Sequence, residues 1–387
     1  MTGVFEIVAI DPETGARAGR LFTAHGVVET PAFMPVGTQG CVKAVSPQEL
    51  LECGIQIFLA NTYHLFLRPG LEVLRRAGGL HRFAGWSGPI LTDSGGFQIY
   101  SLSEFRKITE EGVYFRSHLD GSYILFTPES AVDHQRAIGS DIMMVLDECT
   151  PYPCDRSYAV RSLELTHAWA ERSLHRFQET QPEYGHSQLL FGIVQGSVYL
   201  DLRRQSAERL SQLDFPGYAL GGLSVGEPKE VMYEVIDQTA PLLPHDRPRY
   251  LMGVGKPEDL VEAVGMGIDL FDCVIPTRNG RNGTVFTWEG PLVIKNGRFK
   301  DDFRPIDESC SCYTCRNYTR AFVRHLFNAG EVLALRLATI HNLTFYATLM
   351  SQAREAILAG RFRQWARDFY SRYRTSAEEK IPEQETV

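Results

Sequence analysis

Residues 189–196, LLFGIVQG, run through six apolar positions and stop at Gln195-Gly196. So short a run, with no polar alternation, reads as a strand buried on both faces, the kind found in parallel sheets. Seven further segments share this form: AFMPVG (32–37), IQIFLAN (55–61), GPILTD (88–93), DIMMVLD (141–147), GYALGGL (217–223), YLMGVG (250–255) and DLFDCVIP (269–276). Helical stretches lie between them, a short one over Pro47–Glu52 and a long one over 155–177. TPESAVDHQRAIG (127–139) carries a helix start at Thr127-Pro128 and a stop at Gly139, and KPEDLVEAVGMG (256–267) sets Pro257 and two acids in a first turn. Eight alternating units predict an α/β fold of the TIM (β/α)8 barrel type, with a doubly wound open sheet as the structural rival. The barrel is favoured because the runs end in polar or glycine-rich residues on the side where barrels build active sites. These are Gly37-Thr38, Asn61-Thr62, Asp93-Ser94-Gly95-Gly96, Asp147-Glu148, Gln195-Gly196, Gly221-Gly222 and Asp272.

Working outward, residues 5–32 read as a β-hairpin before the first barrel strand. NGTVFTWEGPLVIKNG (282–297) reads as two β runs around a Glu-Gly turn. The expected organisation is a barrel over 1–277 and 346–375, an inserted β and zinc-binding subdomain over 278–345, and a polar tail over 376–387. The start, MTGVFEIVAIDPETG, has no basic region followed by an apolar stretch, and no apolar run reaches the roughly 18–20 residues that span a bilayer. A soluble, cytoplasmic protein without membrane partners is expected.

The net charge of −8 argues against nucleic acid, but the average conceals an asymmetry. Residues 273–374 hold 16 Lys and Arg against 8 Asp and Glu. A basic C-terminal third could hold a phosphate backbone, although a merely solvated basic surface would read the same way.

Of eight cysteines, five are scattered and three are clustered as Cys310-x-Cys312-x-x-Cys315, with His341 following after 25 intervening residues. Three thiolates and an imidazole make a closed tetrahedral set, so one structural Zn2+ per chain is expected. Closely spaced cysteines supply ligands from a tight loop while the distant His pins a later helix to it. The bland alternative is three free thiols and a core histidine. A catalytic zinc would need an open ligand position, and no H-x-E pattern lies near the cluster.

Three aspartates sit at strand ends. Asp93 is followed by Gly95-Gly96, which lets backbone amides and a planar ligand come close, although D-S-G-G also makes an ordinary turn. Asp272 lies inside the last apolar strand with Arg278 and Arg281 behind it, and Asp147 ends the fourth. A carboxylate inside an apolar strand is costly unless paired or working. Two facing carboxylates suit chemistry at an anomeric carbon, one attacking while the other moves a proton. This leaves open a sugar hydrolase or an enzyme that cuts and remakes an N-glycosidic bond.

The motifs TPAFMPVGTQGCVKAVSP, NTYHLFLRPG, LTDSGGFQ, LDECTPYP, GIVQGS, GGLSVGE, GVGKPEDL, FDCVIPTRNGRNG and the Cys-x-Cys-x-x-Cys…His set occur in this order. Together, over roughly residues 5–370, the chain resembles the bacterial tRNA-guanine transglycosylases. The resemblance implies a TIM barrel with a zinc subdomain near its C-terminus. It also implies exchange of the wobble guanine of GUN-anticodon tRNAs (Asp, Asn, His, Tyr) for a 7-deazaguanine. By the same resemblance Asp272 attacks ribose C1′ and Asp93 is the general acid, then base. Asp147 and Gln195, helped by the backbone at Gly222 and Leu223, bind the purine edge, and Phe97 and Met252 cover its faces. Arg278 and Arg281 would hold tRNA phosphates, a looser assignment. Cys149 and Val225 resemble the bacterial pattern, which implies 7-aminomethyl-7-deazaguanine (preQ1) as the incoming base and a homodimer as the assembly. Ser224 stands where Ala is common and Phe97 where some relatives have Tyr. A non-catalytic accessory subunit, the other rival, is disfavoured because Asp93 and Asp272 are both present.

Overall fold

The computed structural model describes residues 3–96 and 106–373. The chain opens with β1 (Phe5–Ile10), β2 (Arg17–Thr23) and β3 (Gly26–Thr30), an antiparallel sheet that extends the expected hairpin by one strand. The third strand, GVVET, is too short and too mixed in polarity to stand out in the sequence. Next come β4 (Ala32–Pro35), β5 (Phe58–Ala60) and β6 (Ile90–Thr92), each falling inside an expected apolar run.

A second antiparallel sheet, β7 (Arg106–Ile108), β8 (Val113–Arg116) and β9 (Tyr123–Phe126), interrupts the alternation and was not foreseen. Its inward residues Val113, Phe115 and Phe126 pack with Tyr63, Leu146 and Trp169 in a small core of their own. The parallel strands resume with β10 (Ile142–Met144), β11 (Leu189–Val194), β12 (Tyr218–Leu220), β13 (Arg249–Leu251) and β14 (Leu270–Cys273). β15 (Thr284–Thr287) and β16 (Gly290–Val293) form a hairpin whose turn residues are Trp288 and Glu289, one position before the Glu-Gly step expected.

The parallel strands follow the order β4-β14-β13-β12-β11-β10-β6-β5. A single parallel bridge, Val36 to Leu59, joins the two ends of this sheet. That closure decides for the barrel over the open sheet.

Local signals explain the helices. Thr127 and Ser130 form a capping box at the start of helix Pro128–Ile138, and Gly139 ends it at φ 77°. Helix Val332–Leu358 is apolar nearly all round because it packs on both the barrel and the β15–β16 region. It crosses helix Ile275–Asn282 so closely that a Cβ on Gly280 would lie 3.1 Å from the backbone nitrogen of Thr339. Asn342 fixes this crossing by donating to the carbonyls of Pro276 and Thr284 and accepting from the Phe286 amide.

The N-terminal sheet is tied to the N-terminal ends of the barrel strands. Buried Arg17 donates to both oxygens of Asp269, at 2.9 and 2.5 Å. His25 and His81 each donate a ring N–H to one oxygen of Asp141, at 2.8 and 3.1 Å. Their rings stack at 3.6 Å and 17°, and one nitrogen of each ring and an Asp141 oxygen lie within 4.8 Å of one another. Asp141 also accepts the Ile90 and His25 amides. This cluster is a hydrogen-bonded fork that closes the end of the barrel opposite the cavity described below. No helix among the described residues is long and apolar enough to cross a membrane.

Candidate active site

The C-terminal ends of the parallel strands surround a cavity of about 540 Å3. Of the residues singled out in the sequence, Asp93, Asp147, Gln195, Gly222, Leu223, Met252, Asp272 and Arg278 line it. Arg281 does not; it lies on helix Ile275–Asn282, half-buried. Phe97 lies outside the described residues.

Asp93, one residue past β6, is buried and held by the turn after β5. Its carboxylate accepts from the Asn61 side chain and, at 2.9 Å, from the Thr62 amide. Asp272, the third residue of β14, has its Oδ1 fixed by the Tyr250 hydroxyl at 2.5 Å and the Gly253 amide at 2.8 Å. Burial pushes its carboxyl above the usual range, while these two donors oppose that rise. Oδ2 has no hydrogen bond among the described residues.

Tyr250 was not picked out from the sequence. The available signal was its hydroxyl at the head of the apolar run YLMGVG (250–255), whose Met252 also lines the cavity. Removing it should leave Asp272 with one donor. In Tyr250→Phe the acid limb of the pH–rate profile should move to higher pH, with about a tenfold loss of rate near pH 6. An unchanged profile would separate Tyr250 from the reacting group.

Asp147 and Gln195 form a pair. Gln195 Nε2 donates to Asp147 Oδ2 at 2.7 Å, and Gln195 Oε1 is buried without a partner among the described residues. Burial lifts the Asp147 carboxyl to about 6, against the lowering effect of that hydrogen bond. Gly221 and Gly222 sit directly against this amide. A Cβ at Gly221 would fall 2.6 Å from Gln195 Nε2 and one at Gly222 2.3 Å from Oε1, so a side chain at either would displace the amide from this position. The cavity thus combines two carboxylates, a polar edge and the apolar Leu223, Val225 and Met252, which suits a flat heterocycle joined to a sugar.

Cys310, Cys312, Cys315 and His341 bring four ligand atoms within 4.8 Å of one another. His341 Nδ1 lies 3.7 Å from Cys312 Sγ and 3.3 Å from Cys315 Sγ. A tetrahedral ion with bonds of roughly 2.3 Å to sulfur and 2.0 Å to nitrogen would set its ligands about 3.5–3.8 Å apart. His341 Nε2 donates to the Phe286 carbonyl at 2.7 Å, which leaves Nδ1 as the lone pair facing the sulfurs. The group can hold a metal ion.

A profile of the queuine tRNA-ribosyltransferase family matches residues 11–375. The chain belongs to that family. Among curated relatives of that name, the protein of Caldanaerobacter subterraneus subsp. tengcongensis is 57% identical over 97% of this chain and 99% of its own length. That of Symbiobacterium thermophilum is 55% identical over 97% and 93%, and that of Bacillus licheniformis 56% over 95% and 96%. The queuine tRNA-ribosyltransferases are transferases, which excludes the hydrolase left open by two carboxylates alone.

Proposed function

We propose that this enzyme exchanges the wobble guanine of GUN-anticodon tRNAs (Asp, Asn, His, Tyr) for preQ1 by double displacement. The observation that carries the reading is the presence of Asp93 and Asp272 in one cavity together with the Asp147–Gln195 pair. An Asp272 oxygen attacks ribose C1′ as the C1′–N9 bond breaks, and Asp93 supplies the proton taken by the leaving guanine. Asp93 then removes the N9 proton of the incoming base. That nitrogen attacks C1′, the bond to Asp272 breaks, and the configuration at C1′ is retained after two inversions.

In this reading Asp147, Gln195 and the backbone of Gly222 and Leu223 bind the purine edge. Met252 covers one face, and Phe97 is assigned to the other by resemblance alone. A base lacking the matching groups would leave buried polar atoms unpaired, which gives selectivity. Arg278 and Arg281 are assigned to tRNA phosphates, and the base flips out of the anticodon loop to enter. The Cys310, Cys312, Cys315 and His341 group is assigned one structural Zn2+, which would brace the subdomain. The division into a barrel (1–277, 346–375) and that subdomain (278–345) is part of the same proposal. So are a homodimer and a cytoplasmic location beside the tRNA.

Incorporation of labelled guanine into unmodified tRNA tests the reading; absence of label with every GUN-anticodon tRNA would overturn it. The pH dependence follows from Asp147. Above about pH 6 its carboxylate is ionised and accepts from the base N–H groups; below that pH it binds a proton and loses acceptor capacity. The guanine KM should therefore rise about tenfold between pH 7 and pH 5, and a flat KM would remove Asp147 from base recognition.

A further inference from the structure

Arg203 is fully buried beneath the base pocket, and its side chain takes no part in the chemistry above. It lies on helix Leu200–Ser211, on the stripe with Leu202, Ser206, Ala207 and Leu210 that faces inward. Its Nε donates to the Ser197 carbonyl at 2.7 Å. Nη1 donates to the carbonyls of Val194 at 2.9 Å and Gly221 at 2.8 Å, and Nη2 reaches that of Gly222 at 3.5 Å. Among the described residues it forms no ion pair. Burial lowers its pKa to about 10, so it remains a cation at neutral pH.

A buried charge with no counter-ion costs several kcal/mol unless other dipoles compensate it. Here the compensation comes from four carbonyls at the ends of two neighbouring strands. Val194 ends β11 and Ser197 follows Gln195 in the turn after it; Gly221 and Gly222 precede Leu223 in the turn after β12. The two turns are already in contact, because any Cβ at Gly221 or Gly222 would strike the Gln195 amide. A planar guanidinium with donors fixed in a fork sets the register between them, and a lysine ammonium cannot reach all four acceptors.

We infer that Arg203 is a positioning residue for base recognition: it holds the Gln195 turn against the Gly222-Leu223 turn at the separation a guanine-type edge requires. This rests on the base-exchange reading above and adds to it the group that sets the width of the polar edge. Arg203 is fully buried and spends its donors on these carbonyls, so its loss should weaken base binding and leave tRNA binding intact.

The test uses Arg203→Lys and Arg203→Met in the full chain beside the wild type. Guanine affinity is measured by calorimetry, tRNA affinity separately, and metal content and thermal unfolding as checks on the fold. The expected result is a guanine Kd raised tenfold or more in Arg203→Lys and further in Arg203→Met. Discrimination against hypoxanthine should narrow, with tRNA Kd and metal content within twofold of wild type. An unchanged guanine Kd in both variants would overturn the inference. So would equal losses in guanine and tRNA binding, or failure of both variants to fold, since each would make Arg203 a general stabilising residue. A wild type that binds guanine but never exchanges it would sink the base-exchange reading and leave this result standing. A wild type that binds no guanine would sink both.

Discussion

Asp272→Ala enzyme should incorporate no labelled guanine into tRNA, a loss of at least about 10^4-fold, while still binding the tRNA. The reasoning starts from position. Asp272 sits on β14, its Oδ1 clamped by Tyr250 and Gly253, so its remaining oxygen is held in one place in the cavity. In the proposed mechanism, loss of a nucleophile held in this way would remove the covalent route altogether, and effects of this size accompany such losses in other enzymes. The fold should survive. Substitution leaves the Tyr250 hydroxyl and the Gly253 amide without their acceptor, at about 1–3 kcal/mol each, but it also relieves a buried carboxylate. Mass spectrometry of wild-type enzyme stalled on an anticodon hairpin should place the ribose on Asp272. An adduct on Asp93, or near-normal exchange by Asp272→Ala, would exclude the assigned nucleophile.

Cys312→Ser should lose close to one equivalent of zinc and lower the unfolding temperature by roughly 10 °C or more. Cys312 does two jobs. Its sulfur stands among Cys310, Cys315 and His341 Nδ1, and it accepts the Cys315 amide at the start of helix Tyr313–Asn317. Zinc binding in small closed sites is worth on the order of 10 kcal/mol, comparable with the whole stability of a domain. The damage should extend beyond the cysteines because His341 belongs to helix Val332–Leu358. Five residues further on, Tyr346 of that helix donates to the Gly255 carbonyl in the barrel. Metal analysis and thermal unfolding check both parts, and an unchanged zinc content would remove Cys312 from the ligand set.

The barrel was legible in the sequence because its strands are buried on both faces, and each therefore survives as an unbroken apolar run. Its cavity was legible because polar residues at the ends of such runs, Asp93, Asp147, Gln195 and Asp272, have no reason to be apolar's neighbours unless they meet. The β7–β9 sheet was hidden for the opposite reason. Its strands are three or four residues long, only some positions face inward, and Arg106, Lys107 and Arg116 interrupt the pattern. Tyr250 and Arg203 escaped because a single polar group on a buried stripe looks the same whether it pins a catalytic carboxylate, staples two turns or merely finds a partner. Only the identity of the partner distinguishes these cases. The cluster of Cys310, Cys312, Cys315 and His341 was readable from spacing, but the orientation of His341 depended on the Phe286 carbonyl, 55 residues away.

Going round the ring from Asp272, one meets β14, β4, the lone Val36–Leu59 bridge, β5 with Asn61 and Thr62 at its end, and then Asp93. The two carboxylates proposed to react thus stand on opposite sides of the joint with the fewest strand pairs. In the proposed exchange, one heterocycle would give way to another bearing an extra substituent across that single bridge.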